Sequence, residues 1–208
     1  QKINYLNNQI QDLSDYISKW SHEAKLPLAS LRLMNERNEN VFLKKDIRET
    51  IERLQLLLNT MLMSSKLKNP ENDIKIERIQ LTQVIKEAIK HQSYFLINKH
   101  FSIDIQFDDI YVYNDRRWLT YMLDQFIANS IKYCQESPCL IFKIIENEAI
   151  TLVVEDNGIG ISKEDMPYIF DRGFVGSNLR DGDYRSTGMG LYFVKDIAKK
   201  LNIEVQVD

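Results

Sequence analysis

The sequence has few cysteines, no long apolar run and no excess of positive charge. Its two cysteines cannot cross-link 208 residues, and no metal-type Cys/His spacing surrounds them, so we expect reduced thiols. No apolar run reaches the roughly 18 residues of a membrane span, and no signal peptide opens the chain. A net charge of −3 argues against nucleic-acid binding by bulk charge. Apolar and charged fractions of 44% and 27% exclude a mainly disordered chain and predict a folded, soluble protein of one or two domains.

Glycine is absent from most of the chain. All seven glycines lie between residues 158 and 190. Glycine is needed where a backbone takes an unusual turn or where a ligand approaches it closely. We therefore expect the ligand-binding loops in this stretch.

Residues 1–68 contain one proline, and their apolar residues recur at helical spacing. A first stripe steps by three and four residues, as in a coiled coil, and a second follows the polar stretch 35–40. The pattern predicts an antiparallel helical hairpin that pairs with a second copy into a four-helix bundle; the alternative is a hairpin packed only on its own chain. The stripes comprise Ile3, Leu6, Ile10, Leu13, Ile17, Trp20, Ala24, Leu28 and Leu31, then Leu43, Ile47, Ile51, Leu54, Leu58 and Met61.

The pattern changes after a turn-rich linker at residues 69–73. Alternating apolar residues predict strands, and helical periodicity recurs between them, which indicates an α/β layer structure for residues 74–208. The predicted strands span residues 74–80, 101–107, 140–145, 149–155 and 203–207, and the predicted helices span 81–98, 116–133 and 189–201. Because the sequence begins within a helical pattern and stops abruptly, we expect it to be part of a longer protein.

Of the three histidines, only His22 lies where its position suggests chemistry. At about 100° per residue it falls roughly 160° from the centre of the first apolar stripe, so we expect it to face solvent. We expect His91 and His100 to be ordinary surface residues. Glu23 follows His22 directly, and Pro27 removes the helical hydrogen bond to the Glu23 carbonyl. A neutral imidazole is a competent nucleophile, and an adjacent carboxylate can take its other proton.

Two motifs in the second half suggest a nucleotide pocket. Asn129 and Lys132 share a helix face, where an amide oxygen can bind Mg²⁺ and an ammonium can neutralise phosphate; a solvated surface pair is the alternative. Asp156 ends an apolar strand and precedes Gly158 and Gly160. Its carboxylate can accept a hydrogen bond from an amino group such as that of adenine; a plain Asx turn is the alternative.

A third motif opens the last predicted helix. Ser186 or Thr187 is placed to cap that helix, and Gly188 and Gly190 allow a phosphate to approach its free N–H groups. A single Gly-x-Gly is a weak signal. All three motifs in this order, with every glycine of the chain among them, make a strong one.

The segment from His22 to Leu28, His-Glu-Ala-Lys-Leu-Pro-Leu, resembles the phosphoacceptor motif of bacterial sensor histidine kinases, His-Glu-aliphatic-basic-Thr/Asn-Pro-Leu. The three later motifs resemble the N, G1 and G2 boxes of the GHKL ATP-binding fold, and residues 169–176 resemble its F box, which starts a mobile lid. With Trp20 two residues before His22, the segment resembles that of the subgroup that senses peptide antibiotics through short membrane segments. The resemblance covers His22 to about Ile203. It implies an α+β chain of two domains, the dimeric phosphoacceptor hairpin and a GHKL-type α/β sandwich.

The resemblance also implies an activity: ATP-dependent autophosphorylation of His22, with Glu23 as base, and transfer of the phosphate to a response-regulator aspartate. ATP and Mg²⁺ would be the cofactors. The implied setting is a homodimer in the cytoplasmic part of a protein anchored in a bacterial cell membrane. The implied site residues are Asn129 and Gln125 at Mg²⁺, Lys132 at phosphate, Tyr133 against the nucleotide, Asp156 at adenine N6, and Gly158, Gly160, Phe170, Arg185, Thr187, Gly188, Gly190 and Leu191 around it.

The sequence departs from the family pattern at three points. Leu26 replaces the Thr or Asn that orients a water for phosphatase activity, Gln125 replaces the first Asn of the N box, and the final strand of the fold is missing. Two alternatives remain. A GHKL ATPase of the gyrase or mismatch-repair type would carry a glutamate at position 125 to activate water, and glutamine is not a base. The other is a non-catalytic scaffold that only dimerises and binds nucleotide, and the intact Asn129, Asp156, Gly188 and Gly190 argue against it.

Overall fold

The computed structural model describes residues 2–66, 74–147, 149–176 and 187–208, with side chains described from residue 12 onward except at Ser64. The chain divides into two compact units, residues 1–74 and 75–208. The linker predicted at residues 69–73 lies outside the described residues. In the ranges that are described, no helix is both long and apolar enough to cross a lipid bilayer.

The first unit is a helical hairpin, as predicted. Helix α1 spans Lys2–Glu36 and contains Pro27 in its interior, and helix α2 spans Val41–Lys66. The connection is short because Asn40 begins the second helix: its side-chain oxygen accepts a hydrogen bond from the Leu43 N–H at 3.1 Å. Such a side-chain acceptor satisfies one of the N–H groups that every helix start leaves without a helical partner.

The side chains buried between the two helices recur every seven residues along each helix. On α1, the buried positions are Ser14, Ser21, Leu28 and Asn35; on α2, they are Ile51, Leu58 and Ser65. The Ser14 hydroxyl donates to the Ser65 carbonyl at 2.9 Å, and the Asn35 amide donates to the Lys44 carbonyl at 2.7 Å. These two bonds set the antiparallel register at both ends of the buried column.

Large apolar side chains of the hairpin remain on its outer surface. Leu28, Ile51 and Leu58 of the predicted stripes are buried, but Leu13, Trp20, Leu31, Leu54 and Met61 are exposed. The stripes therefore divide into a part that packs within the hairpin and a part that does not. The sequence pattern did not separate these two faces, because both repeat every seven residues.

The second unit contains five strands and four α-helices in its described residues. In chain order they are β1 (Glu77–Gln80), α3 (Leu81–His91), α4 (Ser93–Asn98), β2 (Ser102–Ile105), β3 (Tyr111–Asn114), α5 (Arg116–Lys132), β4 (Cys139–Glu146), β5 (Ile150–Asp156) and α6 (Gly190–Lys200). Strand β1 pairs antiparallel with β3, while β4 lies between a parallel β2 and an antiparallel β5. Neither cysteine is in a disulfide.

The core of this unit lies between helices α3 and α5 and the three-stranded sheet. Alternate residues of β4, Leu140 and Phe142, are fully buried, because successive side chains of a strand point to opposite faces. The other buried apolar members are Ile79, Val84, Ile85, Ala88, Leu96, Leu123, Ile127 and Ile131. This layer supports the C-terminal part of α5 and the end of β5, where the pocket motifs lie.

Three details differ from the sequence prediction. The helix predicted for residues 81–98 is broken at Gln92, which leaves helical geometry with φ −99° and ψ 5°. Strand β3 was not predicted, because its outward residues are tyrosines and no polar alternation marks it. Residues 203–207 form no strand: the Ile203 N–H bonds back to the Ala198 carbonyl at 2.8 Å. That segment pairs with no strand among the residues described here.

Candidate functional site

His22 is exposed on α1, next to a residue that is fully buried. Ser21 has no exposed surface and lies in the buried column, whereas the side chains of His22 and Glu23 both reach solvent. One residue further along a helix turns a side chain by about 100°, so the buried serine directs the imidazole away from α2. The hairpin thus presents an imidazole and an adjacent carboxylate on its outer surface.

Pro27 lies one turn after this pair, within the continuous helix. Proline has no N–H, so the Glu23 carbonyl lacks its usual helical hydrogen bond. Leu26 beside it is 72% exposed. Because leucine has no hydrogen-bonding group, this position cannot orient a water molecule.

Helix α5 begins at a buried aspartate and carries the first pocket motif near its end. The Asp115 carboxylate accepts from the backbone N–H of Arg117 at 3.0 Å and of Trp118 at 3.4 Å. It also accepts from the Lys75 N–H at 2.7 Å and the Arg117 guanidinium at 2.8 Å. Burial favours a higher pKa for Asp115, but the Arg117 hydrogen bond and the backbone donors outweigh it and lower the pKa. Asp115 thereby anchors α5 as an ionised cap.

At the other end of α5, the half-buried side chains of Asn129, Lys132 and Tyr133 lie next to the chain that leaves the helix. The Lys132 ammonium donates to the Tyr133 hydroxyl at 3.0 Å and lies 4.7 Å from the centre of its ring. A cation held over an aromatic face is favourable, but this contact is partly solvated. The ammonium therefore has donors left for an anion such as phosphate.

The loop after β5 is held directly against the end of α5. The Ser130 hydroxyl donates to Asp156 Oδ2 at 2.7 Å, and the Gly158 N–H donates to Asp156 Oδ1 at 2.8 Å. The Tyr133 carbonyl accepts from the Ile159 N–H at 3.0 Å. A Cβ at Gly158 would lie 2.7 Å from that carbonyl oxygen, so only glycine allows the loop to come this close. Asp156 is thus oriented by two donors while its residue stays exposed.

Two neighbours in this loop also shape it. Gly160 has φ +71°, a left-handed conformation that disfavours other residues. Asn157 bridges back to the strand before it: its side-chain oxygen accepts from the Cys139 N–H at 2.7 Å, and its amide donates to the Ser137 carbonyl at 3.1 Å. The sequence pattern indicated no role for Ser130 or Asn157, because both act through contacts with residues 18 to 26 positions away.

Helix α6 begins at Gly190, and no side chain caps it. The Thr187 hydroxyl contacts the Met189 N–H at 3.4 Å, so it does not cap the helix as predicted, and Ser186 lies outside the described residues. Among the described residues, no side chain caps the first N–H groups of the helix, and such groups can bind an anion, favoured by the helix dipole. Gly188, at φ +63°, packs against Gly173, whose N–H bonds to the Gly188 carbonyl at 3.1 Å.

Gln125 of α5 meets the start of α6. A Cβ at Gly190 would lie 2.5 Å from Gln125 Oε1, so the amide occupies the space that a side chain at Gly190 would need. Leu191 follows in the first turn of α6 and is half-buried. The ammonium of Lys195, a residue of α6, lies 5.7 Å from the centre of the Phe170 ring. Arg185, also predicted for the site, lies outside the described residues.

One further charged pair borders this region. His91 Nδ1 of α3 lies 3.0 Å from Asp124 Oδ2 of α5. The hydrogen bond to Asp124 raises the pKa of His91, and burial raises the pKa of Asp124 despite the histidine. His91 is exposed, as predicted, but its contact with Asp124 was not predicted, because the partner lies 33 residues away.

The two predicted Mg²⁺ ligands, Asn129 and Gln125, carry amide oxygens rather than carboxylates. Among the described residues, no group of three or more His, Cys, Asp or Glu side chains is placed to hold a metal ion. Mg²⁺ needs only one or two protein oxygens when phosphate and water complete its shell. The amide oxygens of Asn129 and Gln125 therefore fit Mg²⁺ bound together with a nucleotide, but not an independent metal site.

Comparison with known proteins agrees with this arrangement. Residues 114–208 match the family described as histidine kinase-, DNA gyrase B- and HSP90-like ATPase. The chain is similar to the sensor protein BceS of Bacillus subtilis (35% identity, 96% of this chain, 59% of the relative). It is also similar to the sensor histidine kinase GraS of Staphylococcus aureus (29% identity, 97% of this chain, 57% of the relative). It spans about three fifths of the length of these curated relatives.

The Acinetobacter baumannii histidine kinase AdeS has a similar fold, with a TM-score of 0.55, 23% identity and 86% of each chain covered. The fold and the sequence similarities together place the chain in a class, proteins with a GHKL ATP-binding domain. Within that class, the chain is similar over nearly its whole length to the part of sensor histidine kinases that joins a helical hairpin to this ATP-binding domain.

Proposed function

We propose that this chain phosphorylates His22 with ATP and that the phosphate then passes to an aspartate of a response regulator. The observation that carries the proposal is the solvent-exposed His22–Glu23 pair on a helical hairpin, in a chain whose second unit has a GHKL ATPase fold. An exposed imidazole is accessible to a large phosphate donor, whereas a histidine buried between α1 and α2 would not be.

In the proposed reaction, a nitrogen of the His22 imidazole attacks the γ-phosphorus of ATP in line with the leaving oxygen of ADP. A P–N bond forms as the P–O bond to ADP breaks, and Glu23 takes the proton from the other ring nitrogen. Phosphoryl transfer depends mainly on positioning and on neutralising charge, so the second unit contributes chiefly by holding the triphosphate.

In this proposal, different pocket residues bind different parts of the nucleotide. Asp156 accepts from the 6-amino group of adenine, and Tyr133 lies against the nucleotide. Lys132 and the free N–H groups at the start of α6 neutralise the phosphates. The other proposed contacts are Gly158, Gly160, Phe170, Arg185, Thr187, Gly188, Gly190 and Leu191.

Asn129 would hold Mg²⁺, with Gln125 as a second amide ligand. When bound, the ion would neutralise charge on the phosphates. Gln125 would have to leave its place against Gly190 to do this, so the two amides are not equivalent. Asn129 is the stronger candidate of the pair.

We propose that the hairpin forms a homodimer. Its exposed leucines, Trp20 and Met61 are arranged at heptad spacing on the surfaces of both helices, which suits a four-helix bundle. We further propose that the longer protein is anchored in the bacterial cell membrane with this part in the cytoplasm. Similarity to BceS and GraS, together with Trp20, supports the subgroup that responds to peptide antibiotics. Leu26 supplies no group for phosphatase activity.

The test is incubation of the chain with ATP carrying a γ-phosphate label. We expect a phosphoprotein that is labile in acid and stable in base, the behaviour of a phosphorus–nitrogen bond. His22→Gln should abolish the label. A matched control, His100→Asn, changes an exposed histidine in the left-handed region (φ +56°), which asparagine tolerates, and should retain it.

Three outcomes would overturn the proposal. Label retained in His22→Gln would place the phosphoacceptor elsewhere. Rapid steady-state ATP hydrolysis without any phosphoprotein would favour the gyrase-type ATPase, and nucleotide binding with neither reaction would favour the scaffold.

A further inference from the structure

Ser130 has a buried hydroxyl that donates a hydrogen bond to Asp156, the carboxylate proposed to bind the adenine base. It lies on α5 directly after Asn129, is only 4% exposed, and reaches Asp156 Oδ2 at 2.7 Å. The Phe126 carbonyl one turn earlier is a competing acceptor at 3.2 Å. A serine has one proton to donate, and the shorter, charge-assisted contact to a carboxylate is the stronger of the two.

The Asp156 carboxylate is held at both oxygens. Ser130 donates to one, and the Gly158 N–H donates to the other at 2.8 Å. Two donors on different oxygens restrict rotation about the Cβ–Cγ bond of Asp156. A carboxylate offers about four acceptor positions, so it can still accept a third hydrogen bond from a ligand.

We propose that Ser130 is a positioning residue that fixes this carboxylate as an oriented acceptor and thereby sets the preference for a base with an amino group. The inference rests on the proposed function, because it assumes that Asp156 binds the base. With its proton committed to Asp156, Ser130 holds the carboxylate oxygens in a fixed direction. A carboxylate accepts from a 6-amino group and repels the 6-oxo oxygen of a guanine-type base.

A purely structural role for Ser130 predicts something different. A helical serine that bonds to the carbonyl four residues earlier affects the helix and not the ligand. Its loss would weaken every nucleotide to the same extent. The two roles are therefore separated by comparing ligands that differ only in the 6-amino group.

The experiment measures binding of ATP and of purine riboside triphosphate, which lacks that group, by titration calorimetry. In Ser130→Ala we expect ATP binding to weaken about tenfold and the analogue by less than about threefold, so that discrimination is largely lost. Ser130→Cys, which keeps the volume but donates weakly, should fall between. Ser102→Ala, an exposed serine on β2, is the matched control and should behave as the unchanged chain does.

The outcomes also separate this inference from the proposed function. Equal weakening of both ligands in Ser130→Ala, or no change in either, would overturn the positioning role; if Ser130→Ala does not fold, Ser130→Cys decides by the same comparison. Asp156→Asn should remove the preference for ATP in every background. If Asp156→Asn leaves ATP binding unchanged, the base assignment itself is wrong and the inference fails with it.

Discussion

The two units of the chain use their apolar side chains differently. In the second unit, Phe142, Leu140 and Ile127 are fully buried within one chain. In the hairpin, four of the seven buried residues are polar (Ser14, Ser21, Asn35 and Ser65), while large apolar side chains stay outside. An apolar core that is buried entirely within one chain stabilises that chain without a partner. A hairpin with polar contents and an apolar exterior gains stability from a partner surface.

The contrast also relates to the proposed chemistry. The second unit needs a fixed framework, because its donors must meet a nucleotide within hydrogen-bonding distance. The hairpin needs an accessible His22, and its thinner interior leaves the outer faces of both helices available. Substitutions in each unit distinguish the self-contained core of the second unit from the partly polar interior of the hairpin, and the largest effect is expected in the core.

The strongest test of the self-contained core is Phe142→Ala. Removing a fully buried phenylalanine should lower the free energy of unfolding of the second unit by about 3–5 kcal/mol, because it leaves a cavity. Chemical denaturation measures the loss. Ile145→Ala lies three residues along the same strand but is 48% exposed, so it should cost well under half as much. Equal losses would mean that β4 has no buried face.

Asp115→Asn tests the anchor of α5. Removing the charge weakens contacts to Arg117, Lys75 and Trp118, and we expect a loss of about 2–3 kcal/mol at neutral pH. Because the pKa of Asp115 is lowered on folding, its contribution is present above its ordinary pKa of 3.8 and is lost as pH falls through the lowered value. The variant should therefore lose less stability than the unchanged chain on acidification.

The measurement is denaturation at several pH values between about 2 and 7. Asp108→Asn, at an exposed aspartate, serves as the control and should leave the pH profile unchanged. Identical profiles for Asp115→Asn and the unchanged chain would contradict the anchoring role.

The hairpin side of the comparison is tested by Leu31→Ala and Leu33→Ala. Both leucines are exposed, at 48% and 64%, but two positions along a helix place them on roughly opposite sides. Leu31 belongs to the predicted bundle stripe and contributes twice in a symmetric dimer. Leu31→Ala should weaken dimerisation about tenfold or more, whereas Leu33→Ala should not. Sedimentation over a range of concentrations measures this, and a chain that is monomeric throughout would refute the dimer.

The smallest effect is expected for the His91–Asp124 pair. The pKa of His91 is raised on folding, chiefly by its hydrogen bond to Asp124, so its stabilisation is full below 6.5 and is lost as pH rises through the raised value. Glu87 raises the pKa further, and Lys90 opposes it. Because the histidine side chain is nearly half exposed, the change should stay below about 1 kcal/mol.

His91→Gln should flatten the stability profile between about pH 6 and pH 8, and His100→Asn should not. Denaturation at the two pH values provides the comparison. A profile that is unchanged in His91→Gln would show that the charge on this histidine does not stabilise the fold.

Much of the fold was predictable because it depends on local periodicity. The spacing of apolar residues predicted both hairpin helices, helix α5 and the β4–β5 pair, since each side chain's face follows from the geometry of its own element. The grouping of glycines located the loop at Gly158 and Gly160. The residue types of the pocket motifs were also visible, and their roles stay predictions.

Contacts between distant positions were not predictable in this way. Ser130 and Asp156 are 26 residues apart, and His91 and Asp124 are 33 apart. Strand β3 exists because it pairs with β1, and its own four residues carry no clear signal. A single hydrogen bond between residues so far apart leaves no periodic trace in the sequence.

By itself, the sequence determined the two hairpin helices, helix α5, the β4–β5 pair and the face of α1 that carries His22, because these follow from rotation per residue along one element. The tertiary structure alone decided which apolar stripe of the hairpin is buried, that Gln125 fills the space beside Gly190, and that Ser130 orients Asp156. Those features depend on how separate elements approach one another, and packing across the whole unit sets that approach.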